Sequence, residues 1–350
     1  MECTNNVVTP IISWGRYGRL NSLDKLKTLA SFLIVCIHAP FPGLFGEYFT
    51  ALTRIAVPIF FMISGFFYEH TKAKKQIVKI MRLFVYSNIL YLLWDIGMAS
   101  IKGDTLLFLK ETFTAEHLLT FVFFNDTHLQ AHLWYLGAIL YVLLIVTALW
   151  SWNSKVARRA LYLISPFLLL GDLMLGKYSI LLWHHELPYV FARNWLFVGI
   201  PYFTLGLLLK ERSARILNTF SRSKTLMLII ATSGSTILER ILLKVHGVNA
   251  TRDHYISTTF LAVFVFTFFL LHISQKDNCL SRIGRKYSTW IYISHFIIII
   301  VLSSLARKIG VYNIYSYISP IICYFFTLFV MKAAMGAMEK FRKKRRTIQI

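Results

Sequence analysis

The stretch KTLASFLIVCIHAPFPGLFG, residues 27–46, begins on a lysine and carries a histidine inside an otherwise apolar run. Its length approaches the roughly 20 apolar residues that a membrane-spanning helix needs. Removing an imidazole from water without a partner costs about 1–3 kcal/mol or more. His38 therefore requires a partner, a water-filled cavity or a chemical task, and the rest of the chain decides among them.

The whole chain has the composition of a membrane protein. Of its 350 residues, 56% are hydrophobic and 15% are charged, and the mean hydropathy is +0.58. Repeated apolar segments predict an all-α polytopic membrane protein with about ten transmembrane helices in one bundle. The predicted spans are 26–43, 52–68, 79–99, 131–150, 158–176, 195–210, 224–243, 255–273, 286–305 and 313–336. Because 195–210 is short and 177–193 has room for a half-helix, nine and eleven spans are the alternative counts.

The spans form a single predicted domain, 1–350. Residues 1–25 and the basic tail 339–350 are predicted cytoplasmic segments, and no cleavable signal peptide is visible. The loop 100–130 is expected to form a short amphipathic helix on the membrane surface. We expect no disulfide, because Cys3 and Cys279 fall on the cytoplasmic side and Cys36 and Cys323 within spans.

The net charge of +22 follows the positive-inside bias of membrane proteins. Most of the 38 Lys and Arg residues fall on one side of the predicted bundle, which predicts a multi-pass protein of the plasma membrane with both termini in the cytoplasm. The runs KAKK at 72–75 and FRKKRR at 341–346 are read as anchors to anionic membrane lipids. Nucleic acid is therefore not an expected partner.

A rise of about 1.5 Å per residue along each predicted span gives the depth of every residue in the membrane. By this measure, polar residues concentrate in the predicted outer half of the bilayer. They are His38, Arg54, Trp134, Tyr135, Arg193, Asn194, Glu239 and Arg240, with His295 near the middle. Arginine in a membrane requires a carboxylate, water or an anionic ligand, and Glu239 is the nearest acid in depth to Arg54.

Structural interpretations of these residues remain open. His38 and His295 can serve packing, and Glu239 can hold helices together through Arg54 or Arg240. Trp134 and Tyr135 fit an interfacial aromatic belt and equally a sugar-stacking surface. Metal binding is not expected, because the spacings His-x-x-x-His and Cys-x-x-Cys do not occur. What remains is an imidazole that acts as a base in an outward-facing cavity.

These residues resemble acyltransferase family 3, integral membrane proteins that include bacterial O-acetyltransferases of surface polysaccharides. The lead-in SLDKLKTLA and the pair Lys27 and His38, with ten residues between them, fit the first-span motif, in which relatives often carry arginine at the basic position. RIAVPIFFMISGFF at 54–67 resembles the second motif. HLWYLGAILY at 132–141, RNWLFVGIPYFTLG at 193–206 and GRKYSTWIYISHF at 284–296 resemble later segments, in order along the chain.

The resemblance implies transfer of an acyl group, usually acetyl, from cytoplasmic acetyl-CoA to a hydroxyl of a surface polysaccharide or lipid-linked glycan. His38 is the expected base, with Arg54 and Glu239 as further catalytic residues. Acceptor contacts are expected from Trp134, Tyr135, Arg193, Asn194 and His295. The CoA phosphates are assigned to Lys27, Lys79, Arg82, Arg285 and Lys286.

A transporter or flippase is the competing function, since a helical bundle with a polar cavity also describes a carrier. A third possible function is a purely structural role as a partner of other membrane proteins. The acceptor sugar and the oligomeric state are not predicted.

Overall fold

The computed structural model describes residues 20–126, 129–249, 254–272 and 276–348, with side chains up to residue 340. This part of the chain is helical and contains no strand, which confirms the all-α class. The predicted segment 1–25 lies outside it up to residue 19, together with Cys3, and so do residues 349–350. The side chains of the run FRKKRR are not described.

The helices follow the predicted order. They are α1 Asn21–His38, α2 Gly43–Thr53, α3 Ala56–Phe66, α4 Ala73–Lys102, α5 Thr105–Thr112, α6 Ala115–Phe124, α7 Trp134–Leu175, α8 Ser179–Trp183, α9 Ile200–Glu211, α10 Ser213–Thr219, α11 Arg222–Val245, α12 Ile256–Leu271, α13 Cys279–Lys286, α14 Ser288–Lys308 and α15 Tyr312–Ile348. A π-helical turn, Trp195–Gly199, leads into α9. The loop 100–130 contains two short helices, α5 and α6, where one was predicted.

Seven helical stretches in the described residues are long and apolar enough to cross a membrane: Gly43–Phe66, His70–Lys102, Ala131–Leu175, Tyr189–Glu211, Arg222–Val245, Ser288–Lys308 and Tyr312–Lys340. The count of about ten is not confirmed. Helix α1 carries three charged residues in its first two turns, and α12 has only 16 residues. Ala131–Leu175 covers two predicted spans, 131–150 and 158–176.

Two breaks in these stretches have local causes. At Asn153 the backbone leaves the helical region (φ −158°, ψ 107°), and the Asn153 side chain accepts hydrogen bonds from the amides of Lys155 and Val156, which starts a new helix. Helices α2 and α3 separate at Arg54, four residues before Pro58. Proline has no N–H for the carbonyl of residue i−4 and its ring clashes with that carbonyl.

Helix α1 lies at the centre of the bundle and contacts α2, α3, α12, α13, α14 and α15. It ends at His38, earlier than the predicted residue 43, because Pro40 and Pro42 follow. Its Leu23, Leu26 and Ala30 side chains are completely buried. The first half of α1 is therefore packed against other helices.

The outer surface of the bundle is apolar. Leu93 of α4, Ile230 of α11 and Phe329 of α15 are 64–66% exposed, among many similar side chains. A surface of this kind is stable in lipid and not in water. The described fold is thus that of a polytopic membrane protein.

Candidate active site

Three histidine rings meet where the first helix ends. His38 ends α1, His132 lies in the 3₁₀ turn Ala131–Leu133 before α7, and His295 lies on α14. The ring centroids are 5.1 Å apart for His38 and His295, 5.1 Å for His132 and His295, and 6.0 Å for His38 and His132. Three segments distant in sequence therefore form one imidazole cluster.

Hydrogen bonds fix the nitrogen roles of the His295 ring. Nδ1 of His295 lies 3.0 Å from the Ile291 carbonyl oxygen and 2.8 Å from that of Tyr292. Because a carbonyl only accepts, this nitrogen carries the proton of the neutral ring, which leaves a lone pair on Nε2. That Nε2 is buried and has no hydrogen-bond partner among the described residues, and the same holds for Nδ1 of His132.

The cluster rests on a rigid aromatic frame. The ring of Phe296 stacks on His132 at 5.1 Å and meets His38 edge-on at 5.7 Å. Tyr292 donates its hydroxyl to the His132 carbonyl, and Tyr91 donates to the Ile293 carbonyl at 2.7 Å. His38 itself makes ring contacts and no hydrogen bond to a described residue, so its nitrogens are available to a substrate.

Two arginines lie beside the cluster. Arg54 is at the break between α2 and α3, and Arg193 precedes the π-helical turn. The Arg193 guanidinium packs over the Tyr189 ring at 4.1 Å and the Trp134 ring at 5.6 Å. The Nε atoms of both arginines are buried and unpartnered in the described part of the chain.

A carboxylate–histidine pair faces the same space. Asp172, in the last turn of α7, lies 2.8 Å from Nδ1 of His254, just before α12, and both residues are buried. His254 also contacts the ring of Tyr202, at 5.7 Å between centroids. Asp172 therefore has a partner in the structure that its sequence position did not reveal.

These groups enclose a cavity of about 60 Å³, comparable to the space of two water molecules. The lining residues are Ile34, Ile37, His38, Arg54, Val57, His132, Trp134, Asp172, Tyr189, Arg193, His254 and Tyr292. Two guanidinium groups and three imidazole rings converge there with one carboxylate. The site can accept a proton from a hydroxyl and stabilise negative charge on oxygen.

The structure brings several predicted site residues to this cavity and places others elsewhere. His38, Arg54, Trp134 and Arg193 line it, and His295 adjoins it through the imidazole cluster. Tyr135 instead packs between Phe61 and Tyr292, at 4.8 and 5.4 Å between centroids.

Asn194 and Glu239 both have helix-capping roles in the structure. The Asn194 side chain accepts from the amides of Leu196 and Phe197 and caps the π-helical turn. Glu239 accepts hydrogen bonds from Tyr178, from the amide of Ile256 and from the amide and hydroxyl of Ser257. These bonds hold the carboxylate at the N-terminus of α12, where the helix dipole favours it.

The expected pairing of Glu239 with Arg54 or Arg240 is not observed among the described residues. Arg240 pairs with Glu47, with 3.0 Å between Nη2 and Oε1, and donates to the carbonyl oxygens of Val248 and Asn249. The depth of a residue along its span predicts that Glu239 and Arg54 lie toward the same side of the membrane. Depth does not predict the direction in which each side chain points.

A second polar cluster lies at the opposite end of α1. Lys27 contacts Asp24, with 2.9 Å between Nζ and Oδ1, and Arg285 of α13 approaches the other carboxylate oxygen at 3.8 Å. Arg285 also donates two hydrogen bonds of 3.0 Å to Asp277, which hold the pKa of that carboxyl below its ordinary value. Two of the five predicted CoA-binding cations therefore share one carboxylate.

The other three predicted cations are not part of this cluster in the described contacts. Lys79 and Arg82 are exposed on α4, and Lys286 is exposed at the end of α13. These three residues were predicted from their charge and from the side of the membrane on which they lie. Neither property specifies the helix face that a residue occupies.

The spacing of Lys27 and His38 gives the two ends of α1 a common face. Eleven residues correspond to about three helical turns and about 16 Å. Lys27 of the basic cluster and His38 of the imidazole cluster thus lie on one side of the same helix.

Comparison with known proteins identifies the family. Residues 20–335 match the model of the acyltransferase domain. The chain belongs to acyltransferase family 3. A protein of Enterococcus faecalis named amino-acid racemase is 25% identical to it over 338 residues, which are 88% of this chain and 45% of that protein. The chain thus spans less than half the length of this relative. No solved structure matches it.

Sequence reasoning missed two histidines and the one carboxylate that line the cavity in the described residues. His132 was inside the quoted segment HLWYLGAILY, and its position next to Trp134 at the start of a span was a usable signal. Asp172 and His254 were not among the predicted site residues. Their pairing joins residues 82 positions apart, which one sequence cannot reveal.

Proposed function

We propose that this protein is a membrane O-acyltransferase that moves an acetyl group from acetyl-CoA to a hydroxyl of a surface polysaccharide or lipid-linked glycan. The observation that carries the proposal is the imidazole cluster. His38 and His132 line the cavity, buried nitrogens of His132 and His295 have no partner among the described residues, and His38 lies on the same face of α1 as Lys27 of the basic cluster. Membership of acyltransferase family 3 supports the reaction type.

The donor would bind at the Lys27 end. Lys27 and Arg285 offer cations to CoA phosphates, and the thioester would extend along α1 toward His38. Lys79, Arg82 and Lys286 remain proposed phosphate contacts from neighbouring surfaces. No resident metal is proposed.

The acceptor hydroxyl would lie against His38. As the hydroxyl oxygen attacks the thioester carbonyl, its proton passes to His38 and then to the sulfur of the departing CoA. The products are the ester and free CoA, so the ring returns to its neutral state. Guanidinium groups beside the ring, from Arg54 in particular, would stabilise the negative charge that develops on the carbonyl oxygen or hold part of the acceptor.

Ten membrane crossings, with both termini in the cytoplasm of a bacterial cell, are the proposed topology. The seven apolar stretches count as eight crossings, because the kink at Asn153 divides Ala131–Leu175 into two. Helices α1 and α12 are the other two crossings. Lys27 then faces the cytoplasm and His38 the opposite side.

A labelling experiment tests this topology. In a background without Cys3 and Cys279, cysteines introduced at Lys74 and Lys343 should be protected from an impermeant thiol reagent in intact cells. A cysteine at Glu111 should react. Cys36 and Cys323 are buried and contribute little background. Reaction at position 343 from outside would reverse the assignment of the donor and acceptor sides.

Removal of the Lys27 charge should weaken donor binding. We expect Lys27→Ala to raise the apparent KM for acetyl-CoA by roughly 10-fold or more, because a charge-assisted contact is lost. Lys27→Arg should keep most of the activity, since the cation remains. Steady-state kinetics at saturating acceptor measure this, with Lys110→Ala on an exposed helix as the control. An unchanged donor KM in the alanine variant would remove Lys27 from the CoA site.

A carrier is the alternative function, and the name of the E. faecalis relative suggests an amino acid as its cargo. Purified protein with labelled acetyl-CoA and a glycan extract distinguishes the two. An acyltransferase forms an acetyl ester in detergent. A carrier moves labelled substrate into sealed vesicles and forms no ester.

A further inference from the structure

The two arginines of the cavity make no hydrogen bond to the described protein. A guanidinium carries five N–H donors, yet neither Arg54 nor Arg193 donates to a carbonyl or carboxylate in the described residues, and neither has an ion pair there. Their Nε atoms are buried. In a membrane-embedded site such donors require water or a ligand.

The same protein shows how a structural arginine is satisfied. Arg240 is 2% exposed, contacts Glu47 at 3.0 Å, and donates to the carbonyl oxygens of Val248 and Asn249 at 2.9 and 3.0 Å. Its positive charge and its donors are matched by protein groups. The cavity arginines differ from it in both respects.

The Arg193 guanidinium is nevertheless held in place. It packs over Tyr189 at 4.1 Å and Trp134 at 5.6 Å, and Trp134 is itself buried. Aromatic faces orient a guanidinium without using its N–H groups. The donors of Arg193 therefore remain available on the side of the cavity.

The charge of the cavity is not balanced by its own acid. Asp172 is the one acidic residue that lines it in the described part of the chain, and this carboxylate is engaged by His254 at 2.8 Å. Two guanidinium groups then face the cavity without a carboxylate of their own. An oxyanion that forms only during the reaction would not neutralise them at rest.

We propose that the cavity binds an anionic group of the acceptor, a carboxylate or a phosphate, between Arg193 and Arg54. This identification of the acceptor class rests on the proposed function, whereas the anion site itself does not. The volume of about 60 Å³ suits one small group and not a sugar ring. Planar, forked donors match both anions. The acceptor hydroxyl would then lie next to His38.

Thermal unfolding of the purified protein without acetyl-CoA tests the site. Glucose, glucuronate and glucose 6-phosphate are compared at constant ionic strength. We expect at least one of the acidic sugars to raise the Tm by a few degrees while glucose does not, and their relative effects distinguish carboxylate from phosphate. If neither acid exceeds glucose, the arginines are simply hydrated and the proposal is wrong.

Variants locate the effect. Arg193→Gln should abolish the shift, and Arg193→Lys, which keeps the charge and loses the fork, should reduce it. Lys110→Gln controls for surface charge. Lys27→Ala should leave the shift intact and so exclude phosphate binding at the CoA end. If Arg193→Gln does not fold, the test uses Arg193→Lys instead. A Tm shift in Arg193→Lys as large as in the natural protein would overturn the proposal. Because no acyl transfer is measured, this result is independent of the proposed reaction.

Discussion

Replacement of His38 by alanine is expected to lower acetyl transfer by about 100-fold or more, a typical loss when a general base is removed. His38 lies in the imidazole cluster and has no hydrogen bond to a described residue, so the variant removes a reactive nitrogen without breaking a hydrogen bond in the described protein. Initial rates with labelled acetyl-CoA measure the loss, and membrane protein level and Tm should stay normal.

His38→Gln separates chemistry from structure. Glutamine preserves size and some hydrogen bonding, but it cannot accept the proton, so it should be nearly as inactive as alanine. A purely structural histidine would be rescued by glutamine. Near-full turnover in a folded His38→Gln protein would transfer the base role to His295, whose Nε2 is unpartnered and whose ring lies 5.1 Å from that of His38. Glu239 is no longer a substitute, because it caps α12.

Replacement of Gly206 by alanine is expected to destabilise the bundle strongly. Helices α3 and α9 cross with two glycines at the contact: a Cβ on Gly206 would lie 2.0 Å from the Met62 carbonyl oxygen, and one on Gly65 would lie 1.9 Å from that of Phe203. Small residues permit this approach of helix backbones in membranes. Since backbone must move, we expect a loss of about 1–3 kcal/mol or more.

The measurement for Gly206→Ala is the Tm and the monodisperse fraction in detergent, and Gly65→Ala should behave alike. Gly234→Ala is the matched control. Gly234 is also in a helix, α11, but no atom lies within 4 Å of its Cβ position, so alanine there should be neutral or slightly stabilising. Equal behaviour of Gly206→Ala and Gly234→Ala would mean that the α3–α9 contact does not limit stability.

The sequence predicted the helices well because the membrane imposes a length and a polarity on each. Every predicted span has a helix in the structure. Prolines explain where the boundaries differ, as at Pro40 and Pro42, which end α1 at His38. The number of crossings was harder to predict, because the central helix α1 carries charges and the short helix α12 is covered by protein.

The site was predictable where one helix carries it and less so where several helices meet. Lys27 and His38 share α1, so their spacing alone placed them on one face. Arg54 was recognised because arginine in a membrane is costly, and Arg193 because it lies at the outer start of a predicted span. Glu239, Asn194 and Tyr135 do not line the cavity, because depth does not define the direction of a side chain. The Asp172–His254 pair required tertiary structure.

The central claim is that this chain forms an ester with the help of His38. The most direct measurement incubates purified protein with acetyl-labelled acetyl-CoA and a surface-glycan extract, and quantifies base-labile label in the glycan by mass spectrometry. We predict acetyl ester with the natural protein, and about 100-fold less with folded His38→Gln. Equal ester formation by both proteins, or substrate uptake into vesicles with no ester formed by the natural protein, would contradict the account.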